Sequence, residues 1–199
     1  NWYAISDSRN IANTGWHIPS LSDFNTFIAY LGGTSVAGGK LKQAGTIYWL
    51  SPNINATNEF GFNFRGGGVR SESGVFSILG DNGRIWSSFT PLSGFNRNYL
   101  TTYNTFSLIT STDGNRYGVS VRLIKDSTTL THGQSSTYIG NDGKIYRTIC
   151  IGTQEWVADN IAETLYRNSD AIPEVTDNTE WSVLTAGARC SYNNDERYR

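Results

Sequence analysis

Asn13-Thr-Gly-Trp-His-Ile-Pro-Ser-Leu-Ser-Asp-Phe-Asn-Thr-Phe-Ile-Ala-Tyr-Leu-Gly-Gly33 is a stretch that specifies its own structure. Ser20 stands where an N-cap belongs, and Asp23, three residues on, completes a capping-box pattern ahead of an apolar run. Leu21, Phe24, Ile28 and Leu31 fall at i, i+3, i+7 and i+10, which is one face of a helix. Gly32 and Gly33 then supply the positive φ that ends it. Just upstream, Gly15 to Ile18 reads as a tight turn and a short buried strand.

Working outward, Trp2 and Ile5 at i and i+3 predict the end of a helix docked on a sheet, followed by a polar loop over 7–13. A second short helix is predicted over 36–43, weakened by Gly38 and Gly39. Residues 46–50 are a β-type apolar run stopped by Ser51 and Pro52. A turn-rich loop covers 53–61, and the glycines of 66–68 predict a bulge or a close backbone approach. Strands are expected at 75–79 and 84–88, joined by a hairpin turn at 80–83, then a loop over 90–98 and a strand at 99–103. A turn at 112–115 precedes a last strand over 117–124. In the second part, 138–151 reads as a hairpin about Asn141-Asp142-Gly143, 154–157 as a strand and 179–184 as a helical turn.

Composition narrows the function classes. The 199 residues carry 16 basic and 17 acidic side chains, a net charge of −1, so there is no electrostatic footprint for nucleic acid or an anionic membrane surface. No apolar run approaches the roughly 20 residues of a membrane helix. Aromatics make up 13%, with six Trp and eleven Tyr, beside 21 Gly, a balance typical of loop-heavy surface domains. The chain opens on Asn1 and has no Met, which leads us to expect any targeting sequence upstream. Its two cysteines, Cys150 and Cys190, allow one disulfide without requiring it. The triplet Asn55-Ala56-Thr57 is a glycosylation acceptor in a host that glycosylates.

Signals for catalysis are sparse. With two histidines, His17 and His132, and no metal-ligand spacing, no metal site is expected. His17 reads as a hydrogen-bonded structural residue at a buried turn, with a catalytic role as the alternative. No Gly-x-Ser-x-Gly elbow is present, and the glycines of 66–68 lack the Lys-Ser/Thr of a phosphate loop. No catalytic residue is assigned, and the chain reads as a non-enzyme.

Several segments together resemble one family. Gly15-Trp-His-Ile-Pro-Ser20, Leu31-Gly-Gly33, Val36-Ala-Gly-Gly-Lys-Leu-Lys42, Ala56-Thr-Asn58, Trp86-Ser-Ser88 and Tyr117-Gly-Val-Ser-Val-Arg122 are similar to the Fibrobacter succinogenes major paralogous domain family. So are Asp142-Gly-Lys-Ile-Tyr-Arg-Thr148, Ile151-Gly-Thr-Gln-Glu-Trp156 and Tyr192-Asn-Asn-Asp195. The resemblance implies an α+β, C-type lectin-like fold, distantly related to formylglycine-generating enzymes. Relative to the family's usual arrangement, the two halves are exchanged. Residues 1–126 resemble its C-terminal half and 137–199 its N-terminal half, with 127–136 as a polar linker, so the domain is expected to be circularly permuted or built by exchange between chains or tandem copies. The gap between Arg199 and Asn1 distinguishes these two origins.

The paired cysteines of formylglycine-generating enzymes are not reproduced, since Cys150 and Cys190 lack that spacing; they read as buried thiols or one bridge. The Glu-Pro-Asn and Trp-Asn-Asp runs by which lectins hold Ca2+ are also missing, leaving Ca2+ only the option of scattered loop oxygens; no other cofactor is expected. In lectin-like proteins, ligands are met just before the last strands. The loops around 87–104 therefore carry the candidate ligand-binding residues Phe95, Asn96, Arg97, Asn98, Tyr99, Tyr103 and Asn104, residue types that dominate adaptable recognition surfaces. Phe95 and Tyr99 read equally well as core rings. The expected function is non-catalytic recognition or adhesion at the extracellular side, cell surface or virion, with a glycan or surface protein as ligand. The alternative is a structural or assembly domain of a surface fibre or virion, its partners being neighbouring subunits or further copies of itself.

Overall fold

The computed structural model describes residues 1–92 and 94–198; Ser93 and Arg199, and with Arg199 the gap to Asn1, lie outside the described residues. In chain order the elements are α1 (Trp2–Ile5), β1 (Trp16–His17), α2 (Leu21–Tyr30), α3 (Thr34–Leu41), β2 (Val69–Arg70), β3 (Phe76–Ser77) and β4 (Asn82–Trp86). They continue with β5 (Phe95–Thr102), β6 (Ile109–Gly114), β7 (Ile124–Lys125), β8 (Ser135–Ile139), β9 (Ile145–Ile151), β10 (Gln154–Val157) and α4 (Asn178–Ser182).

Helix α2 starts and stops as its own residues dictate. Ser20 Oγ accepts from the Asp23 backbone N–H at 3.2 Å, and Asp23 Oδ2 accepts from the Ser20 backbone N–H at 2.7 Å. At the other end Gly32 and Gly33 take φ values of 95° and 97°. The inward face, Phe24, Phe27, Ile28 and Leu31, is buried.

The class is α+β with mostly antiparallel sheets. One five-stranded sheet runs β1-β7-β10-β9-β8, a three-stranded sheet runs β4-β5-β6, and β2 pairs with β3. Strand β7 lies between β1, from the first part of the chain, and β10, from the part after residues 127–136. The two parts thus share a sheet, and they share core as well. Phe24 stacks on Tyr99 with centroids 3.7 Å apart, and Phe27 stacks on Trp156 at 4.5 Å. Around them gather Phe62, Phe64, Ile85, Leu108, Ile149 and Ile151. A second cluster joins Trp2, Trp16, Trp86 and Leu123 to Tyr138, Tyr146 and Tyr166. Each such side chain stabilises the fold by roughly 1.5–3 kcal/mol on burial.

Three buried cations fasten the irregular segments. Lys42, fully buried, donates to the carbonyls of Ile54, Thr102 and Thr105 at 2.9, 3.1 and 2.7 Å. Arg122 donates to the carbonyls of Phe62 and Asn63 and to Asn160 Oδ1. Arg70, between the rings of Phe76 and Trp181, donates to the carbonyls of Gly74, Val175 and Thr176. A buried charge is tolerated only when its donors are all directed at acceptors, and long loops offer many free carbonyls.

Several elements differ from the sequence reading. Residues 46–50 form no strand: Trp49 turns inward and its Nε1 donates to Phe64 O, while Ile47, Tyr48 and Leu50 face solvent. Their backbone bonds go to Gly66 and Gly80 instead of a ladder. The glycines of 80–83 make no hairpin, because β3 pairs with β2 and β4 with β5. The predicted turn at 112–115 falls mostly within β6. Strand β7 is short, and Gly118 and Ser120 contribute only isolated bridges. Gly38 and Gly39 do not merely weaken α3. A Cβ there would stand 2.3 Å from Ser107 O and 2.6 Å from Asn55 O, so the bare backbone lets two loops close on the helix.

Candidate functional site

The largest displacement from the sequence reading falls on the candidate binding residues. Strand β5 begins at Phe95, four residues earlier than its predicted start, and this places Asn96, Arg97 and Asn98 in a ladder between β4 and β6. Asn96 and Asn98 are 1% and 0% exposed. Asn96 Nδ2 donates to Asn115 Oδ1 and its Oδ1 accepts from Thr90 Oγ1, while Asn98 Nδ2 donates to Asp113 Oδ2 at 2.8 Å. Arg84 completes this polar ladder with a 2.6 Å ion pair to Asp113. Tyr99, 2% exposed, is the core ring stacked on Phe24. These three side chains face inward, where a surface ligand cannot reach them. Phe95 is 53% exposed, and Arg97, half-buried, lies over the Phe89 ring at 4.9 Å. Tyr103 is half-buried and Asn104 exposed at the far end of β5. Phe95 and Asn104 therefore sit at opposite ends of one strand, and the structure does not gather the seven residues into one site.

His17 lies beside the cap of α2 rather than in a buried turn. Its Nδ1 is 2.6 Å from Asp126 Oδ1 and its Nε2 is 3.2 Å from Asp23 Oδ2, with the side chain 39% exposed. Ser20 Oγ donates to the same Asp23 oxygen at 2.6 Å. The hydroxyl thus bonds the carboxylate and not the imidazole, which is the geometry of a helix cap rather than of a base-activated nucleophile. Burial would raise the Asp23 carboxyl; the Ser20 hydroxyl and N–H, with His17, outweigh it and hold the group below its ordinary range. Cys150 and Cys190 are free thiols, and burial pushes both up, disfavouring the reactive thiolate. Among the described residues no cluster of three or more His, Cys, Asp and Glu is placed to hold a metal, and no helix is long and apolar enough to cross a membrane.

A cleft of about 180 Å3 lies elsewhere, between Gly67–Arg70, 118–121, 160–163 and 188–192. Its rim carries a row of rings, Phe76, Tyr192 and Tyr198, with successive centroids 5.3 and 5.8 Å apart. Its wall includes Ser191, 4% exposed, whose Oγ has no protein partner. Asn160 donates from Nδ2 to Ser120 Oγ at 3.1 Å on the same wall. Sequence reasoning missed this site because its groups come from four separated segments, none with a local pattern. The similarity of 117–122 and 192–195 to a known family and the close backbone approach expected at 66–68 marked separate parts of it without bringing them together.

A second hollow borders Tyr30, His132 and Gln154. There the rings of Tyr30, Phe60 and His132 already touch, with centroids 5.2–6.1 Å apart, so they pack one another rather than enclose a ligand. Glu163, 3% exposed, is the most perturbed carboxyl: burial and the neighbouring Asp142 charge push it up to about 7.

Compared with known proteins, residues 1–125 match the family described as the Fibrobacter succinogenes major domain. No curated protein and no solved structure matches the chain.

Proposed function

This chain belongs to the Fibrobacter succinogenes major domain family, and from that membership we propose that it is a non-catalytic recognition domain of a secreted, cell-surface or virion protein. It holds a glycan or protein ligand without transforming it. The observation that carries this reading is how the reactive groups are engaged. Ser20, His17 and Asp23 serve a helix cap, the buried cations are directed at carbonyls, and both thiols are pushed up by burial. Among the outward side chains, by contrast, are rings and amides such as Phe95, Asn104 and Tyr198, which suit recognition. Array screening of the intact chain against glycans and surface proteins tests the reading. Retention of a ligand supports it; turnover of a retained ligand would sink it.

The scaffold in this reading is lectin-like, with its halves in exchanged order. Support comes from the clasp on Asn1: its side-chain Nδ2 donates to Ala186 O, and its Oδ1 accepts from the Ala188 N–H. Segments far apart in sequence thus meet where the family's usual order makes them neighbours. A chain reordered as 135–199 followed by 1–126 is expected to keep the near-UV circular dichroism and one cooperative unfolding transition. Loss of both would end the permutation proposal.

A structural or assembly role is favoured by one separate observation. Strands β6 and β8 each have a single sheet neighbour, and next to the β8 edge Ile139 and its partner Ile145 are 57% and 71% exposed. Stable oligomers in light scattering, dispersed by Ile145→Lys, are the expected sign of that role.

A further inference from the structure

Strand β8 closes one end of the five-stranded sheet, and its outer edge is open. At its two ends the Cys150 N–H donates to Gln134 O and the Gly140 N–H to Lys144 O, each at 2.8 Å. Backbone groups alternate between the two sides of an antiparallel strand. Ser136 and Tyr138 therefore exchange bonds with β9, while Ser135, Thr137 and Ile139 turn their N–H and C=O outward. Asn13 Nδ2 donates to Ile139 O at 3.3 Å. Among the described residues no donor or acceptor meets the outward backbone of Ser135 and Thr137, and every residue over 131–137 is exposed.

Proteins that stay apart guard such edges with charge. Strand β6 has a guard at its end, where Glu72 lies so close to Gly114 that a Cβ there would overlap its Oε1, with Arg116 3.7 Å from the same carboxylate. Strand β8 has none. Between Asp126 and Asp142 the chain carries no Asp, Glu, Lys, Arg or Pro. A charged edge meets its own copy only by opposing like charges, and an uncharged edge is free of that cost. The edge is also self-complementary. Laid antiparallel on its own copy, with Ser136 opposite Ser136, it sets each Ser135 opposite a Thr137. Each of those two pairs exchanges two backbone bonds, and their hydroxyls stand side by side, a favourable cross-strand pairing. Asn13 keeps its bond to Ile139 in this register.

We propose that β8 is a self-recognition edge, pairing antiparallel with β8 of a second copy so that the sheets of two chains become one. The proposal rests on the assembly reading above and names its partner and its edge. So short an edge lies at the small end of specific interfaces, which sets a dissociation constant of about 10–100 μM.

The test is sedimentation velocity of the intact chain from about 10 μM to about 1 mM, with hydrogen exchange of single amides followed by NMR. A monomer–dimer equilibrium is expected. In the dimer the Ser135 and Thr137 amides should exchange about tenfold more slowly, while those of Ser136 and Tyr138, bonded to β9 in either state, change little. Thr137→Pro removes an outward N–H without touching the β9 ladder, and Thr137→Lys brings like charges together across the two-fold axis. Each should weaken the dimer about tenfold or more, with near-UV circular dichroism checking the fold; where Thr137→Pro does not fold, Thr137→Lys decides. A monomer at every concentration, which leaves the edge to a different chain, overturns the proposal. So do species larger than a dimer, or a dimer undiminished in folded Thr137→Lys. Oligomers that Ile145→Lys disperses and the Thr137 variants leave intact keep the assembly reading and end only this one. A monomer in light scattering as well as in sedimentation ends both.

Discussion

The stretch over 13–33 and the stretch over 90–103 are both rich in Asn, Ser, Thr and aromatics, yet they are built in opposite ways. In the first, the cap, the apolar face and the glycine stop all lie within one helix, so each group finds its partner a few residues away. In the second, Asn98, Asn96 and Tyr99 reach partners on β6, on the loop after it and on α2, respectively 15, 19 and 75 residues distant. The lesson is that polar and aromatic residues advertise a surface only when no long-range ladder claims them. Exposure of an Asn is a tertiary property.

The contrast can be broken or sharpened by substitution, with urea unfolding as the common measurement. Tyr99→Ala should have the largest effect, about 3–5 kcal/mol of lost stability, because it empties the ring site stacked on Phe24. A loss under about 1 kcal/mol would return Tyr99 to the surface reading. Asp113→Ala should cost about 2–3 kcal/mol, since it strands the Arg84 guanidinium and the Asn98 amide together.

Titration separates two carboxyls of opposite sign. Glu163 is raised to about 7 by burial and by Asp142, so between pH 4.5 and 7 the folded state keeps a proton that the unfolded chain releases. Stability should therefore fall as pH rises through that window, by on the order of 2 kcal/mol, and Glu163→Gln should remove the fall. Asp23 is held below its ordinary 3.8, so its contribution is present above that pH and is lost as pH drops further. Unfolding midpoints measured between pH 3 and 8 in Glu163→Gln, in Asp23→Asn and in the parent read the two effects separately.

Smaller effects complete the series. Ser20→Ala should cost about 1 kcal/mol, the usual worth of an N-cap. Phe95→Ala, on the exposed end of β5, should change stability by less than about 0.5 kcal/mol. Near-equal losses for Phe95→Ala and Tyr99→Ala would undo the distinction between the strand's exposed start and its buried middle.

Much of the fold was legible in this way. The capped helix α2, the short α3, the hairpin of β8 and β9 about Asn141-Asp142-Gly143, strand β10 and the turn of α4 all rest on contacts within a few residues. The candidate site was much less legible. An apolar run at 46–50 reads as a strand until one asks which strand it would pair with, and the backbone near Tyr48 and Leu50 is met by Gly66 and Gly80. The glycines of 80–83 read as a hairpin until β4 is seen to pair with β5. The cleft depends on Ser191, Tyr192, Asn160 and Gly67 arriving together, and no periodicity in any one segment foretells that.

By itself, the order of residues determined the caps, the stops, the α+β class and the membership in a family, because these follow from side chains acting on nearby backbone or from patterns spread along the chain. Tertiary structure alone decided which of the polar and aromatic side chains face solvent, where the cleft opens, and that strands from both sides of residues 127–136 share one sheet. The physical reason is range: a hydrogen bond to a neighbour three residues away is available in any compact state, whereas burial and strand pairing are settled only when distant segments meet.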